Sequence, residues 1–130
     1  MFAGLFVVTA GAEKVLLSPD AIAAVHGMHL ENVWALTGVT AVLSNIISNV
    51  PAVLALKPFV PGLADEPRAW LTIAMSATLA GNLTLVGSIA NLIVAERARA
   101  AGIEISFFAY CRAGIPLTVL TLALGAWWLS

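Results

Sequence analysis

Two polar interruptions inside otherwise apolar runs constrain this chain more than any other feature of its sequence. The first is SNIISNVP, residues Ser44 to Pro51, and the second is GNLTLVGSIAN, residues Gly81 to Asn91. Hydrocarbon supplies no water to satisfy a freed backbone group. Helix-breaking polar sequence at membrane depth is therefore tolerated only where it lines a cavity or is buried in protein. Two such breaks in one short chain point to a solute site built from discontinuous helices. Composition places the runs in a membrane: 61% of the 130 residues are hydrophobic, 10% are charged, and mean hydropathy is +0.99. Soluble domains carry about 25% charged residues.

Other classes find little support. A net charge of −1, with six scattered Lys and Arg, leaves no basic footprint for nucleic acid. The single cysteine, Cys111, excludes an internal disulfide and a multi-cysteine metal site. No Ser/His/Asp, Cys/His or zinc-ligand arrangement is present, so neither an enzyme nor a resident cofactor or metal is expected. His26 and His29 lie three apart with no third ligand nearby and read as interfacial histidines. Glu13-Lys14 reads as an intrahelical or interfacial pair.

Along the chain, residues 2–17 form an apolar helix candidate ending at Ser18-Pro19-Asp20. The start lacks a basic n-region and a cleavage site. Its short first run is expected of a piece cut from a longer protein. Apolar character resumes at Val33 and continues to Val60, broken by the first interruption. A polar loop from Pro61 to Arg68 follows, then a second apolar stretch over 69–95 with the other interruption in its middle. The last apolar run, Ala113 to Leu129, ends in Trp127-Trp128.

Val33–Leu43 and Pro51–Val60 would each be roughly 15 Å long as helix, half of the roughly 30 Å hydrocarbon core. The segment is therefore either one helix kinked at Pro51 or a re-entrant hairpin over about 33–60. Pro51 removes a donor and disfavours helix at Val50, and the two upstream Ser-Asn pairs favour turns, so the hairpin is the expectation. In the second stretch, Gly81-Asn82 and Gly87-Ser88 let the chain leave helical dihedrals, which predicts a broken transmembrane helix over about 68–97. Close helix crossing through small residues explains the glycines but not Asn49, Asn82 and Asn91 at comparable depth. Arg97, Arg99 and Arg112 oppose Asp65 and Glu66, so 96–112 is expected in the cytoplasm and the C-terminus outside a plasma membrane.

FAGLFVVTAGAEK, SNIISNVPAVLAL and TLAGNLTLVGSIANLIVAE resemble the C-terminal half of ion-transporter-superfamily permeases. That group spans citrate-transporter-like, arsenite-efflux and sodium/dicarboxylate branches. The resemblance implies an all-α integral membrane fold in which 1–130 is one transmembrane domain holding the C-terminal inverted repeat. A terminal transmembrane helix would occupy about 113–129. It implies a missing N-terminal repeat, and a homodimer when full length. Ser48 and Asn49 match the hairpin tip, Gly81, Asn82 and Thr84 the start of the unwound stretch, and Gly87, Ser88 and Asn91 its second half. These residues would bind a small anion or oxyanion, such as arsenite or a carboxylate. Na⁺ or H⁺ would be the coupling ion, with Na⁺ on backbone near Asn49 and Gly87. Val50 stands where the dicarboxylate branch has a threonine, which favours the arsenite-efflux side. Two other readings are a non-transporting helical membrane subunit and a sodium/proton antiporter half. No aspartate lies in the breaks to serve the latter.

Overall fold

The computed structural model describes residues 29–130. The 2–17 segment, Glu13, Lys14 and His26 lie outside the described residues. Those described are helical, without strands: α1 (Val33–Ile47), α2 (Asn49–Leu56), a 3-10 turn at Lys57–Gly62, α3 (Glu66–Ala80), a second 3-10 turn at Leu85–Gly87, α4 (Ile89–Ala100) and α5 (Phe107–Leu129). Polar side chains fix the helix starts. Asn32 accepts from the Trp34 N–H, Asp65 from Arg68, Ser88 from Ala90 and Ser106 from Ala109. Each satisfies an N–H that has no partner within the first turn.

The chain doubles back at Ser48. Leu36, near the start of α1, lies in one buried cluster with Leu56 and Val60, beyond the end of α2, and with Ala69 and Ile73 of α3. A continuous helix would separate Leu36 from Leu56 by about 30 Å. Further along, Ser44 bonds to Ala77 and Asn45 to Ala80, so α1 and α3 run parallel. Gly114 of α5 lies against the carbonyls of Asn82 and Leu83, while Gly125 lies against Met75. Hence α5 runs antiparallel to α3.

Two expected boundaries are corrected. Helix α1 runs through Ser44 and Asn45 to Ile47, and the interruption is confined to Ser48. The reason is that Ser44 and Asn45 turn their side chains to carbonyls of α3 and of their own preceding turn, leaving their backbone helical. Pro51 is the third residue of α2, where its missing N–H would have had no intrahelical partner. The terminal helix starts at Phe107 rather than Ala113, because Ser106 caps it there and Pro116 does not end it. Among the described residues, α5 is the one helix long and apolar enough to cross a membrane.

Candidate functional site

On the hairpin side the chain reverses through one strained residue. Ser48 has φ 79° and ψ 160°, a region that is essentially glycine's. Its side chain is exposed and has no hydrogen-bond partner among the described residues. Half-buried Asn49 opens α2, and its amide lies 3.4–3.5 Å from where a Cβ on Gly81 would stand. One turn earlier, Ser44 Oγ lies 2.7 Å from Asn49 Oδ1 and 2.9 Å from the Ala77 carbonyl. Asn45 Nδ2 donates to the carbonyls of Ala41 at 3.0 Å and Ala80 at 2.9 Å. Its Oδ1 is buried without a partner.

The second interruption wraps onto these residues. Helix α3 ends at Ala80 and α4 begins at Ile89, which leaves 81–88 as turns. Asn91 Nδ2 donates back across the break to the carbonyls of Gly81 at 2.9 Å and Thr84 at 3.3 Å. Gly87 is buried where no side chain fits. A Cβ there would lie 2.9 Å from Asn45 Oδ1, 2.9 Å from the Gly81 carbonyl and 3.2 Å from Thr84 Oγ1. Ser88 caps α4, while the exposed Asn82 side chain has no partner among the described residues. A cavity of about 250 Å³ is lined by Leu85, the chain neighbour of Thr84, and by Glu96, Arg99 and Ser106.

Of the seven residues expected at the site, Asn49, Gly87 and Asn91 lie against Gly81, Thr84 lies against Gly87, and Ser48, Asn82 and Ser88 are their chain neighbours; they divide into two kinds. Asn91 and Ser88 hold the broken helix together. Ser48 and Asn82 present unengaged polar groups, and Asn49 stands between the two kinds. Ser44 and Asn45, one turn before the tip and outside the expected site residues, are the side chains that tie the hairpin to α3. No local signal marked them, because the α3 carbonyls they reach lie 33 and 35 residues away. The carbonyls of Ala77 and Ala80 belong to the last turn of α3, where helices leave C=O groups without an i+4 partner, and the Ala80 carbonyl also accepts from the Leu83 N–H at 3.0 Å. Ser44 and Asn45 serve these two, and Asn91 serves Gly81 just beyond. With the starts of α2 and α4 beside Gly81, two positive helix ends face the same region.

Comparison with known proteins supplies relatives but no solved template. No family model and no solved structure matches the chain. It is 37% identical over 133 residues to a putative transporter arsB of Dictyostelium discoideum, covering 95% of this chain and 23% of that protein. Similarity to the silicon efflux transporter LSI3 of Oryza sativa subsp. japonica is 38% over 138 residues, covering 95% and 28%. A 46 kDa membrane protein of Mycobacterium leprae is 34% identical over 134 residues, covering 95% and 31%. The chain therefore spans about a quarter to a third of the curated relatives it matches, which are named as transporters or as a membrane protein.

Proposed function

We propose that this chain is the C-terminal repeat of a secondary active transporter, moving a small anion or oxyanion such as arsenite and coupled to Na⁺ or H⁺. The observation that carries the reading is convergence: the hairpin tip at Ser48-Asn49 and the break at Gly81–Asn91 meet at Gly81. Depth supports it. Gly114, which touches the break, lies four residues from Thr118 at the centre of α5, about 6 Å along the axis. The break then sits near the middle of a membrane that α5 crosses, and Ser48–Leu56 is a re-entrant arm. In this reading the starts of α2 and α4, the Ser48 hydroxyl and the Asn82 amide hold the solute. Carbonyl and amide oxygens around Gly81 and Gly87 hold the coupling cation. A missing N-terminal repeat completes the site, the assembly is a homodimer in the plasma membrane, and 96–112 faces the cytoplasm.

A non-transporting helical subunit has no use for polar groups gathered from two breaks. An antiporter half needs a carboxylate there, and 44–51 and 81–91 contain none. The test is binding by the chain in detergent. Sodium arsenite or citrate at saturating concentration raises the unfolding temperature, since a ligand at 100 times its Kd stabilises by about 2.7 kcal/mol. Replacing Na⁺ by choline reads the coupling ion, and Asn82→Ala abolishes the shift. Absence of any shift in either salt, both in this chain and in a fusion that supplies the N-terminal repeat, sinks the proposal.

A further inference from the structure

Ser44 has one hydroxyl proton, yet its Oγ lies within hydrogen-bond reach of two oxygens, Asn49 Oδ1 at 2.7 Å and the Ala77 carbonyl at 2.9 Å. A hydroxyl donates once and accepts through its lone pairs, so it cannot serve both. Ser44 is fully buried, and leaving either oxygen unserved there is unfavourable. The two ends of an asparagine amide have the same shape and can be exchanged by a half-turn. With Nδ2 toward Ser44, Asn49 donates to Oγ and Oγ donates to Ala77, and two hydrogen bonds form where the other orientation allows one.

We infer that Ser44 is a positioning residue that holds Asn49 Nδ2 and so leaves the Asn49 carbonyl oxygen, beside Gly81, unengaged by the Ser44 hydroxyl. The hairpin tip then presents one acceptor, Asn49 Oδ1, beside Gly81, while a second, the buried and unpartnered Asn45 Oδ1, lies against Gly87. Resting on the transport reading, this gives the site a polarity. These acceptors take an electropositive group, the O–H of an undissociated oxyacid or a cation, and repel a bare carboxylate. Anionic oxygens are left to Ser48, Asn82 and the helix starts.

The orientation is read from side-chain amide exchange in the full chain, labelled with ¹⁵N-asparagine in detergent micelles, with Asn49 assigned by its loss in Asn49→Asp. The expected result is an Asn49 amide exchanging about tenfold more slowly than that of exposed Asn82, as one buried hydrogen bond would give. Ser44→Ala then removes the protection. An Asn49 amide as fast as Asn82 overturns the assignment without recourse to Ser44→Ala, and so does protection that persists without the Ser44 hydroxyl. No solute is present in the measurement, so a failed binding assay leaves the orientation standing and removes only the meaning attached to it.

Discussion

At position 87 a methyl group would have to occupy a point that lies 2.9 Å from two oxygens, one of them backbone. Neither can withdraw cheaply: Asn45 is tied to Ala80 through its amide, and the Gly81 carbonyl is held by Asn91. Gly87→Ala is therefore expected to destabilise by about 1–3 kcal/mol in denaturant unfolding, the usual cost of overpacking. Val86→Ala, on the exposed neighbour, should stay within about 0.5 kcal/mol. Ser48 gives the opposite sign. Its backbone conformation costs of order 1–3 kcal/mol for a residue with a Cβ, so Ser48→Gly is expected to stabilise by about that much. In the proposed site it also removes a solute-facing hydroxyl, so stability rises while oxyanion binding weakens. A Ser48→Gly protein no more stable than wild type would mean the turn is not strained. Ser48 and Asn49 were legible from the sequence because a Ser-Asn pair before proline is turn chemistry. Asn45 was not, since nothing local distinguishes a tip asparagine from one whose amide reaches a carbonyl 35 residues away.

Between elements, the hairpin and the broken helix are joined by side chains that serve the frayed end of α3. That division of labour separates two asparagines with similar sequence surroundings. Asn91 gives both amide protons to the carbonyls of Gly81 and Thr84, so Asn91→Ala is expected to cost about 1–3 kcal/mol of stability. Asn82 is exposed, and its side chain bonds to nothing among the described residues. Asn82→Ala should leave unfolding within about 0.5 kcal/mol of wild type while abolishing the ligand-induced shift. Equal stability losses in the two variants would erase the distinction. The existence and order of the elements could be read from apolar runs and their breaks. Their edges could not, because Ser44 and Asn45 discourage helix locally and are overridden by bonds to another helix. The start of α5 depends on the Ser106 cap rather than on hydropathy, which is why Phe107–Arg112 was left out of the expected span.

At the scale of the molecule, α5 provides the measure of depth. Its 23 residues begin with Phe107-Phe108 and end with Trp127-Trp128, and Phe108 and Trp128 are 83% and 81% exposed. Twenty residues of helix separate those two rings by about 30 Å, the thickness of the hydrocarbon core. Aromatic rings favour both membrane interfaces, so an exposed pair at each end fits a helix that crosses close to the normal. Arg97, Arg99 and Arg112 lie at the phenylalanine end, whereas Lys57 and Arg68 belong to the other. Among the described residues this three-to-two balance is the ground for proposing that the phenylalanine end lies in the cytoplasm. Single cysteines placed in a Cys111→Ser background test this directly, since Ser106 and Ser130 are both exposed. A membrane-impermeant thiol reagent is expected to label Ser130→Cys in intact cells and Ser106→Cys only in inside-out vesicles. Both positions labelled from the same side would mean that α5 does not span. The depth assigned to Gly81, and with it the mid-membrane site, would then have to be abandoned. Labelling with the sides exchanged would keep the site at its depth and reverse the face to which the cavity beside Leu85 opens.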